Sequence, residues 1–221
     1  MGFSVIIPAR YASTRLNAKL LQDIHGKPLI QHTYENAIKS GASRVIIATD
    51  DSRIETVAND FGATTCMTGD HHTSGTSRLA EVLDKLSITD GEIIVNVQGD
   101  EPMLGASVIE QVANNLANSD MQMATLCENV INQEQYLDPN CVKVVFDKFG
   151  KALYFSIPAF REESDFDASL CFKHIGIYAY RSGFIKQYLT MDSSAYEQVE
   201  KLEQLTVLNE GFDIHVAPAC A

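Results

Sequence analysis

The chain has 221 residues, 45% apolar and 21% charged, with 29 acidic against 17 basic side chains and a net charge of −12. That size suits one medium α/β domain, with or without a small lobe, and so acidic a surface repels nucleic-acid backbone, which excludes DNA and RNA as expected partners. No apolar run approaches the ~20 residues that cross a bilayer, and MGFSVIIPAR has no basic segment ahead of its short apolar run, so neither membrane insertion nor a signal peptide is expected and the chain reads as cytoplasmic.

The first half alternates strand and helix. Residues 3–8 form an apolar run that predicts a buried strand, and 28–39 a helix with Leu29, Ile30, Tyr34, Ala37 and Ile38 on one broad face, stopped by Gly41. RVIIAT (44–49) is a second strand, and Asp51 or Ser52 can cap the helix running to Phe61. Short strands at 63–67, 92–97 and 123–127 alternate with helices at 74–86 and 107–117. Near-continuous apolar strands between amphipathic helices imply a parallel sheet covered on both faces, with ligands beyond its carboxyl edge. After about residue 129 the rhythm changes. CVKVVFDKFGKALYFS reads as a hairpin turning at 147–150. CFKHIGIYAYR is a strand with His174, Gly176, Tyr178 and Tyr180 on one face and Ile175, Ile177 and Ala179 on the other. Residues 197–209 read as one helix and 213–217 as a last strand, so this half is expected to form a mixed-sheet lobe extending the main sheet.

Two stretches at strand ends carry the chemistry. The loop after the first strand holds Arg10, Arg15 and Lys19 with no acid before Asp23, a pattern suited to a polyanion such as a triphosphate; the plainer reading is a solvated basic loop. It is not a Walker A loop, and no G-x-G-x-x-G follows the first strand, so neither a P-loop enzyme nor a dinucleotide-binding domain is expected. VNVQGDEP places Asp100 just past a buried strand, where a carboxylate suits Mg²⁺ shared with substrate phosphates; capping of the helix near Ser107 is the competing role. In HHTSGTSR, adjacent histidines rarely point the same way, so no metal is expected there, and Ser74–Thr76 read as a helix start able to hold a ribose or base edge. Cys66, Cys127, Cys141, Cys171 and Cys220 are scattered and odd in number, which fits reduced thiols rather than disulfides or a zinc site.

IIPARYASTRL, GKPLI, ATDD, SGTSR, NVQGDEP, ALYFS, HIGIYAYR and LEQLTVL, taken in order, resemble the 3-deoxy-manno-octulosonate (Kdo) cytidylyltransferases, or CMP-Kdo synthetases, over nearly the whole chain. The resemblance implies a three-layer, Rossmann-like nucleotidyltransferase fold. It is expected as one domain over 1–221, with a nucleotide-binding half at 1–128 and a sugar-binding and dimerisation half at 129–221. It further implies a Mg²⁺-dependent reaction of CTP with an octulosonate sugar acid to CMP-sugar and pyrophosphate, for lipopolysaccharide biosynthesis, by a homodimer. By position, Arg10, Ser13, Arg15 and Lys19 match the residues that bind the CTP phosphates, with Lys19 and Arg15 stabilising the departing pyrophosphate. Thr49, Asp50, His72, Ser74, Gly75 and Arg78 match the nucleoside region; Asp100 matches the metal ligand, with Gln98 beside it; and His174, Tyr178, Glu203 and Gln204 match sugar-contacting positions. A sialic-acid type of cytidylyltransferase and a catalytically silent homologue are the alternatives.

Two departures stand out. The family continues past HVAPACA into a GVDTPEDL-like segment whose Asp is a second metal ligand, so the chain is read as lacking that end. Where the family usually has Arg after ALYFS, this chain has Ile157, followed by Glu162, Glu163, Asp165 and Asp167. Losing a cation and gaining carboxylates suits a sugar bearing an amine, 8-amino-3,8-dideoxy-manno-octulosonate; the competing reading is an exposed acidic loop.

Overall fold

Strand β1 (Phe3–Ala9) buries six of its seven residues because both its faces are covered: Val5 and Ile7 point into one core and Ile6 into the other. The computed structural model of the chain describes residues 2–11, 18–72, 74–160 and 166–220. A small hairpin, β2 (Asp23–Ile24) and β3 (Lys27–Pro28), follows; His25 and Gly26 both have positive φ at its tip (52° and 84°), the geometry of a tight two-residue turn. Helix α1 (Leu29–Lys39) buries Leu29, Ile30, Thr33 and Ala37, while Ile38, expected inside, is 51% exposed. Gly41, at φ +79°, adopts the left-handed conformation that closes the helix.

The alternation then continues as expected: β4 (Arg44–Thr49), α2 (Ser52–Asp60), β5 (Thr64–Met67), α3 (Gly75–Lys85), β6 (Ile93–Asn96), α4 (Ala106–Ala117) and β7 (Met123–Asn129). Asp51 caps α2 by accepting from the Arg53 amide at 2.9 Å, and Ser74 caps α3 by accepting from Ser77 at 3.2 Å. Later come α5 (Gln133–Leu137), β8 (Lys143–Phe146), β9 (Ala152–Ser156), β10 (Phe172–Arg181), α6 (Ser182–Tyr188), α7 (Ala195–Glu200), α8 (Gln204–Asn209) and β11 (Ile214–Pro218). The β2–β3 hairpin, α5 and α6 were not legible in the sequence. The single helix expected over 197–209 is two: Lys201 sits at φ 58° between α7 and α8. The break lets Leu202 and the Gln204–Val207 row turn inward, whereas α7 buries none of its residues.

Among the described residues the main sheet has nine strands in the order β11-β7-β10-β6-β1-β4-β5, with the antiparallel β8–β9 hairpin joined to β10. The β1–β4, β1–β6, β4–β5 and β7–β11 pairings are parallel, and β10 runs antiparallel between β6 and β7. The second half therefore does extend the main sheet, but from within it. Residues of α1, α2 and α4 pack on one face of the sheet and those of α3, α6 and α8 on the other, giving three layers. On β10 the alternation holds: Ile177 and Ala179 enter the first core and Tyr178 and Tyr180 the second. It survives a register shift, because Ile175 faces Leu126 while Tyr178 faces Thr125, and the two extra residues, Gly176 and Ile177, preserve parity. The Thr125 hydroxyl donates to Ile177 O at 2.6 Å and so satisfies the carbonyl that the bulge frees.

Candidate active site

The sheet order reverses at β1, with β4 on one side and β6 on the other, and a crevice at such a point is where open α/β sheets take ligands. The loops leaving β1 and β6 meet there. Lys19 Nζ lies 2.7 Å from Asp100 Oδ2, with the two side chains 40% and 43% exposed. The cation behind the first strand and the carboxylate behind the fourth apolar strand, 81 residues apart, thus form one pair at the surface of the crevice. Asp100 does not cap α4, whose N-cap is Gly105. The turn carrying it is fixed from α1: Thr33 donates to Gly99 O at 3.0 Å and Asn36 to Pro102 O at 2.9 Å. Gly99 packs so closely that a Cβ there would sit 3.1 Å from Pro8 O and from Ile30, which explains the glycine.

Next to this pair, Arg10 donates to the carbonyl of His72, joining the β1 loop to the segment after β5. Thr49 is fully buried; its hydroxyl accepts from Asp51 N at 3.2 Å and its carbonyl from Thr68 N at 2.8 Å. Asp50 accepts from Arg78 at 2.6 Å, and Arg78 is 0% exposed, its guanidinium also bound to Thr68. Arg78, expected in the nucleoside region, therefore ties the loops after β4 and β5 together through its two terminal nitrogens, while among the described residues its buried Nε has no partner. Ser13 and Arg15 lie outside the described residues.

The remaining expected positions converge. Gly75, Gln98, His174, Tyr178, Glu203 and Gln204 line one cleft of about 370 Å³, together with Thr76, Asn96 and Lys201. The N-terminus of α3 abuts the strand ends here: a Cβ on Gly75 would lie 3.5 Å from Pro8 and 3.7 Å from Asn96. His174 Nε2 is 2.9 Å from the Thr125 hydroxyl. That hydroxyl gives its proton to Ile177 O, so the ring donates to it from Nε2. Burial pushes the His174 imidazole down to about 3, which keeps it neutral. Gln204 donates to the Tyr178 hydroxyl, and burial, then the nearby Glu203, push that phenol upward. Glu203 accepts from Thr76 at 3.0 Å, and burial raises its carboxyl despite that bond. A second cleft of about 450 Å³ shares His174 and Gly176 and is bordered by Glu101, Glu128 and Asp138.

The family model described as cytidylyltransferase matches residues 4–214. A 3-deoxy-manno-octulosonate cytidylyltransferase of Ruthia magnifica subsp. Calyptogena magnifica is 79% identical over 223 residues, spanning 100% of this chain and 91% of that protein. The enzyme of that name from Aliivibrio salmonicida is 56% identical, spanning 99% and 91%. The chain belongs to the 3-deoxy-manno-octulosonate cytidylyltransferase family. The solved structure of a CMP:2-keto-3-deoxy-manno-octonic acid synthetase complexed with CTP agrees in fold, with a TM-score of 0.93 at 39% identity over 100% of this chain and 91% of that one.

The cleft of this cytidylyltransferase also holds residues that the sequence reading missed. Asn96 is 2% exposed on β6, borders the cleft, and among the described residues its Oδ1 has no partner. A polar side chain amid IIVNV was the available signal, since a buried amide costs stability unless something bonds it. Lys201 gave no signal, because its place in the cleft depends on the break between α7 and α8. Asp100 fits a hard divalent ion: it is a carboxylate at a strand end, and among the described residues only its Oδ2 is engaged, by Lys19. All five cysteines are free, as read from their spacing.

Proposed function

We propose that this chain catalyses the condensation of CTP with an octulosonate sugar acid to CMP-sugar and pyrophosphate. One observation carries the reading. Six side chains or glycines scattered from Gly75 to Gln204 in sequence line a single cleft, and Gln98 on its wall stands two residues before Asp100 of the Lys19–Asp100 pair. Phosphoryl-type transfer asks the protein mainly for alignment and charge neutralisation. The sugar's anomeric hydroxyl attacks the α-phosphorus, the bond to the β-phosphate breaks in line with it, and the hydroxyl proton passes to water. Lys19 and Arg10 neutralise the triphosphate from the β1 loop. Asp100 would hold Mg²⁺, which when bound supplies positive charge to the phosphate oxygens. His174, neutral and donating to Thr125, positions the sugar and does not act as the base. Tyr178, Gln204 and Glu203 orient sugar hydroxyls, and Lys201, the lysine of the cleft lining, receives the sugar carboxylate. The test is pyrophosphate release from CTP and Mg²⁺ with Kdo, 8-amino-3,8-dideoxy-manno-octulosonate and sialic acid in turn. Release with sialic acid alone, or with none of them, overturns the reading.

The preference between the two octulosonates is part of the same proposal. Ile157 presents no charge, packs against the second core, and has its amide on Glu200 at 3.0 Å. Asp167, one of the four acids that follow it in the sequence, lies in the described residues and caps the turn at 168–170. This balance supports the 8-amino sugar, and faster turnover of plain Kdo, compared as kcat/KM, removes that preference. We further propose that the chain works as a homodimer in the cytoplasm and feeds lipopolysaccharide assembly. Leu153 and Leu170, 55% and 57% exposed in the late half, support a partner there, and among the described residues no helix is long and apolar enough to cross a membrane. Light scattering on the purified chain checks the dimer.

A further inference from the structure

Lys19 meets Asp100 only if the chain that leaves β1 comes back to the right place. Residues 11 and 18 close that excursion: the Ala18 amide donates to Tyr11 O at 3.1 Å. Ala18 stands at φ 57°, a left-handed conformation that disfavours any residue with a Cβ, so the return is held against a local cost. The short 3-10 turn Lys19–Leu21 starts from it, with Leu20 buried and packed close to Gly99. Lys19 thus lies one residue past the closing bond, and the place of Tyr11 sets its place.

Tyr11 is held in turn from α2. The Arg53 guanidinium lies over its ring, 3.3 Å from the centroid. Asp51 aims that guanidinium: its Oδ1 accepts from Arg53 Nε at 2.9 Å and its Oδ2 from Nη2 at 2.6 Å. A planar fork gripped along one edge leaves its flat face to an aromatic ring, whose negative face draws the cation. The Arg53 side chain is 59% exposed, and α2 docks through Ile54 and Ala58 instead, so anchoring that helix does not account for the stack.

We propose that Arg53 and Tyr11 are positioning residues for the nucleotide. Their stack fixes the stem of the β1 loop and, through the Tyr11–Ala18 bond, the placement of Lys19 against Asp100. The inference rests on the assignment of Lys19 to the triphosphate. It requires neither side chain to touch the nucleotide, and neither borders the cleft given to the sugar.

The test is calorimetric titration of the full chain with CTP and MgCl₂, and with inorganic pyrophosphate, beside KM values for CTP and Kdo. Tyr11→Leu and Arg53→Gln should each weaken CTP and pyrophosphate about two- to five-fold, the worth of one exposed cation–π contact, with KM for Kdo unchanged. Tyr11→Phe keeps the ring and should bind as wild type. The two losses should not add, because they remove one contact. In a Lys19→Ala background, Tyr11→Leu should cost nothing more. Wild-type binding in Tyr11→Leu, additive losses, a further loss in the Lys19→Ala background, or a matching rise in KM for Kdo overturns the inference. Turnover that is indifferent to Tyr11 and Arg53 removes this inference alone. The expected binding losses with no pyrophosphate released from any sugar uphold it and remove the proposed reaction. No CTP binding by the wild type removes both.

Discussion

Asp100 and Lys19 show how much one contact carries at the scale of a residue. Both side chains are about 40% exposed, so their attraction is screened and adds at most about 1 kcal/mol to folding. Their proposed value is in charge placement for the nucleotide. Asp100→Asn should therefore leave the thermal midpoint within a degree or two yet lower kcat roughly a thousand-fold. Nearly unchanged turnover, measured by pyrophosphate release, would reject the metal assignment. His174 behaves in the opposite way, since its chemistry is invested in stability. The folded ring stays neutral down to about 3, while the unfolded ring takes a proton near 6.5. Between those values the unfolded state binds more protons, so stability falls as pH drops through that window. Glu81 adds a lower one: the His72 hydrogen bond first, then Lys85, hold its carboxyl at about 2, and its contribution is lost as pH falls from about 4.5 toward that value. Glu203, raised by burial, works against both. Urea midpoints of His174→Gln should thus decline less steeply than wild type from pH 6.5 to 3, and equal slopes would show that His174 is not held neutral.

Elements were legible where the hydrophobic pattern repeats and illegible where tertiary contacts override it. The parallel βα units declared themselves because strands buried on both faces are apolar throughout. The break at Lys201 did not: 197–209 keeps a helical pattern, and only docking of Leu202 against the second core splits it. A lysine at φ 58° is in a strained conformation costing about 1 kcal/mol, which glycine would relieve. Lys201→Gly should therefore raise the thermal midpoint or leave it level, while KM for the sugar acid rises several-fold and KM for CTP stays put. A matched rise in both KM values, or none, would detach Lys201 from the sugar carboxylate. Thr125 and Asn96 were visible as polar residues in apolar strands, but what surrounds them was not, since one answers a bulge in β10 and the other faces a cleft built from five elements.

For the whole molecule, the decisive feature is the insertion of β10 between β6 and β7. The first 128 residues include β6 and most of β7, yet both need the second half: β10 pairs with each, and β11 covers the far edge of β7. Expressed alone, 1–128 should give no cooperative thermal transition, because two long rows of backbone donors and acceptors and the apolar faces beside them would be left open. A sharp calorimetric peak from that fragment would show that the halves fold independently. The sequence by itself determined the layered α/β class and the family, and singled out the cations after the first strand and the carboxylate at Asp100 as candidates, because these rest on local periodicity and on motifs contiguous in the chain. Only the tertiary structure decided that Lys19 reaches Asp100, that Arg78 binds Asp50, that His72 reaches Glu81, and that six scattered positions share one cleft. Those facts depend on which strands lie side by side, and strand order follows from long-range packing that no short window of sequence contains.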